Sequence, residues 1–338
     1  PILDPLQGRP LAVAYFQNSG LVEAYRGDDL SWLEEYGKAA GLVFGFYLAQ
    51  KRQLAEARER ADAPEIVGDS APIRKLRHKL HEVFIPAMEV EHPRPILLLG
   101  ERGTGKELIA RYLHTYSARH HRPWAVANCA TLNDELAKAA LFGHKRGSFT
   151  GAYQDSLGYF RRADGGVLFL DEVGELSPRV QAELLRAVEN QTVEPEGESR
   201  SFPVDVAVIL ATNRDLDQAV RAGLFRDDFY DRIRTLTLRL PALRERPRDV
   251  LPLLYHYLRY HQKRYKKATL GFTQEALQAL AVYAWPGNVR ELRNVVERAV
   301  LLGKNNIVGL DDLPPELLTL APMTFDALHA RSLKQAMT

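Results

Sequence analysis

Cysteine is almost missing from this chain of 338 residues. Cys129 stands alone, so no disulfide can form within the chain, and a reducing compartment suits it. Long apolar runs are missing too. Runs such as residues 96–99 and 167–170 are far short of the ~20 residues that a membrane-spanning helix needs. No charged segment followed by an apolar one opens the chain as a secretory signal would. An excess of one charge is also lacking: 45 basic residues stand against 43 acidic ones, so bulk charge does not mark a nucleic-acid binder. Repeats and low-complexity tracts are absent. These absences leave the expectation of a cytoplasmic protein with no membrane partner. What is present is ordinary for a globular chain, 46% hydrophobic and 26% charged, and long enough for two domains.

Residues 1–50 read as part of a small α/β domain. A strand is expected over 11–16, then a turn at Gly20 and a helix capped near Asp28-Asp29 that carries Trp32, Tyr36, Ala40 and Phe44 on one face. The charged stretch 51–65 continues that helix as a linker until Ala63-Pro64 stops it. The chain opens on Pro1 rather than methionine, which suggests a piece of a longer protein. From residue 66 strands and helices alternate, the pattern of a parallel sheet with helices on both faces. Apolar runs at 96–99, 125–127, 167–170 and 204–211 are its strand candidates. Beyond Pro241 and Pro247 the pattern turns wholly helical, with apolar residues at helical spacing over 251–260, 274–283 and 289–302. The expected architecture is therefore an α/β core over 66–242, a small all-α lid over 243–318 and a linker over 319–338.

Gly100-Glu101-Arg102-Gly103-Thr104-Gly105-Lys106 directly follows the first core strand and opens a helix at Glu107. Glycines there let backbone N–H groups turn inward around phosphate, the helix N-terminus adds positive dipole, and Lys106 can reach the terminal phosphates. The usual phosphate loop places Ser or Thr after the lysine to hold magnesium; Glu107 stands there instead. Asp171 and Glu172 end the strand 167–170, as two carboxylates do at the tip of a Walker B strand. Asp171 would hold the magnesium and Glu172 would polarise the attacking water. An Asp-Glu pair capping a helix is the plainer reading, and the preceding phosphate loop argues against it. Asn213 follows another strand and could orient water against a γ-phosphate, since α/β sites gather at the carboxyl ends of strands. Further on, Gly147 and Gly151 bracket Ser148-Phe149-Thr150, a mobile tip that offers one aromatic ring and one hydroxyl to a partner. The basic lead-in Lys145-Arg146 favours an exposed Phe149 over one tucked into the core.

These motifs, taken together, resemble the central AAA+ ATPase domain of sigma-54-dependent bacterial transcription activators. Residues 141–152, Leu-Phe-Gly-His-Lys-Arg-Gly-Ser-Phe-Thr-Gly-Ala, look like the loop by which such activators grip the sigma factor, with Ser148 where alanine is usual. The same order and spacing recur at 100–107, 128–130, 225–232, 240–246 and 285–292. Glu107 after the lysine is a family feature, whereas Arg102 replaces a residue that is usually small. The resemblance spans roughly residues 66 to 318. It implies a P-loop NTP hydrolase that uses ATP and Mg2+ in a hexameric or heptameric ring, with a dimer as the repressed form. Its partners would be sigma-54 and RNA polymerase, with DNA reached through a domain beyond residue 338. It also implies site roles. Arg226 and Arg232 would act across a subunit boundary on the transferred phosphoryl, Arg290 would sense nucleotide from the lid, and Asn128 would restrain Glu172 until the partner engages. Phe149, Thr150 and Gly151 would contact sigma-54. Residues 1–50 more faintly resemble the C-terminal part of a GAF domain.

Other features read as structural. His78 and His81 lie one helical turn apart without a third metal ligand, and Cys129 lacks the setting of a nucleophile. The basic run at 263–267 reads as a solvated helix end. Surface pairing of Arg226 and Arg232 with Asp227, Asp228 or Asp231 is the alternative to their catalytic reading. Two rival functions are weighed: another AAA+ remodeller, against which the 147–152 element argues, and a nucleotide-controlled switch without turnover, against which intact Lys106, Asp171, Glu172, Arg226 and Arg232 argue.

Overall fold

The three inner strands of the central sheet alternate their side chains between two apolar layers. Ile96 and Leu98 join Phe169 and Ile209 in one, and Leu97 joins Leu168 and Leu210 in the other, as the two-residue period of a strand requires. The computed structural model describes residues 63–132, 134–149, 152–267, 271–303 and 306–318, together with the strands Ile2–Leu3 and Pro10–Ala12. It divides into two units, Pro1–Ala63 and Pro64–Thr338. In the first unit the two short strands pair antiparallel, with Ile2 opposite Ala12. The helix expected from Asp28 through Phe44 lies outside the described residues.

The second unit is built on β1 (Ile96–Leu99), β2 (Trp124–Asn128), β3 (Val167–Asp171), β4 (Ala207–Thr212) and β5 (Leu236–Arg239). They lie in the order β2-β3-β4-β1-β5, and every pairing is parallel. The sheet is the expected α/β core. Its fourth strand starts at Ala207 rather than 204, and β5 was not expected. That strand is short and pairs on one side only, so its apolar alternation is weak. β3 and β4 are central and buried along almost their whole length, which explains their continuous apolar sequences.

Helix α1 (Ala71–Lys79) and helix α2 (Lys106–Tyr116) pack on one face, and α3 (Pro178–Asn190) on the other. The chain then passes into α4 (Val250–Tyr265), α5 (Gln274–Val282) and α6 (Asn288–Leu302). These helices close around Leu254, Leu280, Trp285 and Leu292 in a third apolar cluster. Trp285 is its largest fully buried side chain, and its Nε1 donates to the Leu280 carbonyl at 3.1 Å. Truncation of such a buried aromatic to alanine costs about 3–5 kcal/mol. Among the described residues no helix is long and apolar enough to cross a membrane.

Candidate functional site

The parallel sheet carries several chemically active residues to one edge. Asn128 lies in register with Asp171 on neighbouring strands, and Leu99 lies opposite Thr212. Thus the phosphate loop, Glu172 and Asn213 all leave from the carboxyl ends of β1, β3 and β4. Gly105 has φ +104° with open space around it, so backbone conformation alone requires a glycine there, one residue before α2. Gly103 faces the further demand of close approach: a Cβ there would lie 2.2 Å from the Gly287 carbonyl oxygen.

Lys106 is buried at the first turn of α2, and its Nζ donates to the carbonyls of Gly100 at 2.8 Å and Glu101 at 3.1 Å. Burial lowers its pKa from the ordinary lysine value, while Asp171 and Glu172 pull it back up. Asp171 Oδ1 accepts the Glu172 N–H at 2.9 Å. Glu172 has φ +56°, a left-handed conformation that costs a non-glycine residue on the order of 1–3 kcal/mol. The Asp171 bond and the Glu175 N–H on the Glu172 carbonyl, 2.9 Å, hold it there. Glu172 Oε2 is buried and without a hydrogen-bond partner. Thr104 does not stand in for the Ser or Thr that usually follows the lysine, because its Oγ1 donates to the Glu101 carbonyl at 2.8 Å. Glu107 is exposed in the first helical turn, where its charge complements the helix dipole.

A cavity of about 290 Å³ joins these groups to the lid. Its polar end is lined by residues 102–107, Asp171, Glu172 and Arg290. Ile66, Val67, Ile73, Leu76, Leu253 and Tyr257 add an apolar part to the lining, with Glu65, Arg246, His256, Arg293 and Asn294 beside them. Sequence reasoning missed that apolar part, since its residues come from before the core and from the lid. It also missed the joint between lid and phosphate loop. The Gly103 carbonyl accepts the N–H groups of Val289 at 3.0 Å and Arg290 at 3.3 Å. Fully buried Asn288 donates from Nδ2 to Glu101 Oε2 and the Arg102 carbonyl, both at 3.1 Å, and accepts the Leu243 N–H at 2.7 Å. Glu101 also meets the Arg244 guanidinium through both oxygens. Those two partners hold its carboxyl at a pKa of about 2. A third joint lies at Asp249, whose carboxylate accepts the Asp69 and Ser70 N–H groups ahead of α1, both at 2.9 Å.

The remaining expected residues stand outside that cavity lining. Asn128 Oδ1 accepts the Ala130 N–H at 3.0 Å, and among the described residues no hydrogen bond joins it to Glu172. Asn213 Oδ1 and Arg232 Nε are buried without partners. Arg226 is exposed and pairs with Asp228 through two bonds, 3.0 and 2.6 Å, the surface pairing weighed as its alternative. Phe149 is half-buried rather than exposed, with its ring edge-on to His144 at 5.0 Å. His144 holds the ring because it is itself fixed in bridges to Ser156 and Glu196. Below it, Gly147 N–H donates to the Ala152 carbonyl, and Asp155 clamps the stem through Lys145 Nζ at 3.0 Å and the Arg146 N–H at 2.8 Å. Thr150 and Gly151 lie outside the described residues. Cys129 is buried, and burial beside Asp171 and Glu172 pushes its thiol to about 12.

A phosphate loop after β1, carboxylates after β3 and a helical lid fastened across the loop define the AAA+ class of P-loop proteins. The chain matches the family described as Sigma-54 interaction domain over residues 66–239, and the AAA+ ATPase lid domain over 244–328. It belongs to the sigma-54-dependent transcriptional activator family. It is 45% identical over 249 residues to the transcriptional regulatory protein ZraR of Klebsiella oxytoca, covering 74% of this chain and 55% of that protein. It is 42% identical over 271 residues to the nitrogen fixation protein AnfA of Azotobacter vinelandii, covering 80% and 50%. The crystal structure of NtrX from Brucella abortus in complex with ADP superposes with a TM-score of 0.68 at 28% identity, covering 87% of this chain and 61% of that one. NtrX has also been solved in complex with ATP. The chain thus spans about half the length of the curated relatives it matches.

Proposed function

We propose that this chain binds and hydrolyses ATP and couples hydrolysis to remodelling of sigma-54 RNA polymerase, from the closed to the open promoter complex. The observation that carries the reading is the cavity in which Lys106, Asp171, Glu172 and Arg290 meet beside an apolar part of the lining. An adenine base suits the apolar part and the phosphates suit Lys106 and the loop amides. Glu172 would take a proton from water as the water oxygen bonds to the γ-phosphorus. The bond from that phosphorus to the bridging oxygen would break, releasing ADP and phosphate. The carboxylate chemistry at the tip of β3 fits a magnesium ion, which Asp171 would hold and which would neutralise phosphate charge. Arg226 and Arg232 would complete the site of a neighbouring subunit in a ring, Arg290 would report the nucleotide to the lid, and Asn128 and Asn213 would position Glu172 and water. The neighbour's complexes with ATP and ADP support nucleotide binding here.

Coupling needs an element that grips the partner differently in two nucleotide states. Phe149 with Thr150 and Gly151 fills that role, because an aromatic and a hydroxyl at a loop tip are small anchors of the kind that dominate transient interfaces. The test is retention of sigma-54 in the presence of a transition-state nucleotide analogue, measured beside ATP turnover. Phe149→Ala and Thr150→Ala should each weaken sigma-54 retention by about tenfold or more, with turnover reduced by less than about threefold. Normal retention and normal open-complex formation by both variants would remove the loop from the mechanism and leave an unspecified AAA+ ATPase.

A further inference from the structure

Arg102 differs from the rest of the phosphate loop in where its side chain goes. Its Nε stands 3.9 Å from Glu172 Oε1, although the Arg102 side chain is 69% exposed and that of Glu172 only 18%. Among the described residues this is the one ion pair that Glu172 makes, and its other oxygen is buried without a partner. The backbone of the same residue belongs to a different attachment. The Arg102 carbonyl accepts Asn288 Nδ2, and the next carbonyl, of Gly103, accepts the first N–H groups of α6. Residue 102 is therefore fixed to the lid by its backbone, while its side chain stands within ion-pair distance of the tip of β3. A serine at this position would keep the first attachment and lose the second.

We propose that Arg102 is a lid-anchored restraint on Glu172, a positioning residue that holds the carboxylate in the resting site and sets the basal rate of turnover. The proposal rests on the ATPase reading above. The guanidinium and an attacking water compete for the same carboxylate, so the pair must loosen before that oxygen can engage the water. Loosening can come from the lid, since any movement of the α6 N-terminus carries the Arg102 backbone with it.

The experiment is steady-state ATP turnover of the 338-residue chain and its variants, at matched assembly state by light scattering. Arg102→Ser should raise kcat by about two- to fivefold, the range open to an exposed ion pair, and shift KM for ATP by less than about twofold. Arg102→Lys keeps the charge and should stay nearer the wild-type rate. The ratio of Arg102→Ser to wild type should shrink as salt rises from about 0.05 to about 0.5 M, where screening dissolves the pair in the wild type. Damage to the fold cannot raise kcat, so the direction of change separates restraint from structure. An unchanged or lower kcat in Arg102→Ser, or a raised KM with a lower kcat as for a phosphate ligand, overturns the proposal and leaves the ATPase reading intact. A wild-type chain without turnover brings down that reading and the proposal with it.

Discussion

The phosphate loop and the 147–152 loop are both short glycine-bearing turns, and their surroundings hold them in opposite ways. The phosphate loop joins a buried strand to a helix, its lysine is buried, and its carbonyls at 102 and 103 are fastened to the lid. The 147–152 loop is held at its stem by Lys145 and Asp155, both exposed, and its aromatic leans on His144 at the surface. Arg226 follows the second pattern, with its guanidinium on exposed Asp228. Groups that act within the chain take their position from packing and buried backbone bonds. Of the groups proposed to act on other molecules, Arg226 and the stem of the 147–152 loop are kept in place by exposed ion pairs worth only about 0.2–1 kcal/mol each, which a partner can displace, whereas Arg232 Nε is buried.

The comparison is sharpened most by variants at its inward end. Lys106→Ala would remove the proposed ground-state phosphate contacts and should weaken or abolish nucleotide binding. Glu172→Gln should retain ATP and lose turnover by about 10²–10⁴-fold, since it removes only the group that acts on water. Equilibrium binding and phosphate release measured on the same preparations separate the two. Wild-type turnover in Glu172→Gln would take that residue out of the mechanism.

The outward end is tested by assembly. If Arg226 and Arg232 serve a neighbour's site, activity per subunit rises with protein concentration, and either arginine changed to alanine costs on the order of 10³-fold. Mixing Arg232→Ala subunits with Lys106→Ala subunits should restore part of the activity, because some interfaces then contain one intact half of each kind. Concentration-independent turnover by a proven monomer would break this side of the comparison.

What could be read from sequence follows the same division. Lys106, Asp171 and Glu172 were legible because each motif is local and its strand is buried enough to be continuous in apolar residues. The lid was legible through helical periodicity. The edge strand β5 was not, since a short strand paired on one side has little apolar pattern to show. Nor were the ties of Asn288 to Glu101 and Arg102, which join residues far apart in the chain through the side chain of one residue whose backbone has φ +54°. The apolar part of the cavity lining was hidden for the same reason, because Ile66 and Tyr257 meet only once the lid has folded back. The exposure expected of Phe149 failed on one neighbour, His144, whose place depends on a bridge to Glu196 beyond β3.

The smallest effect is expected at the joint that fastens the inward site to the lid. Glu101 has its carboxyl lowered from 4.5 to about 2, chiefly by hydrogen bonds from Arg244 and Asn288. A carboxylate with a lowered folded-state pKa stabilises the fold above its unfolded value and loses that contribution as pH falls toward its folded value. The window here runs from about 4.5 down to about 2. The Glu101 side chain is 44% exposed and that of Arg244 48%, so solvent screening limits the pair to about 1 kcal/mol or less despite the size of the shift. Glu101→Gln keeps one oxygen as an acceptor for Asn288 and removes the charge together with one acceptor of the Arg244 pair. At about pH 7 it should lower the melting temperature by about 1–4 °C, the shift that such an energy gives in a domain of this size. Near pH 3 most of that difference should be gone, because by then much of the wild type's advantage has been lost to protonation of its unfolded chain. Differential scanning calorimetry of both proteins across this range reads the convergence directly. A difference that stays constant with pH would mean that Glu101 ties the lid by shape rather than by charge, and the joint would then belong with the packed half of the molecule.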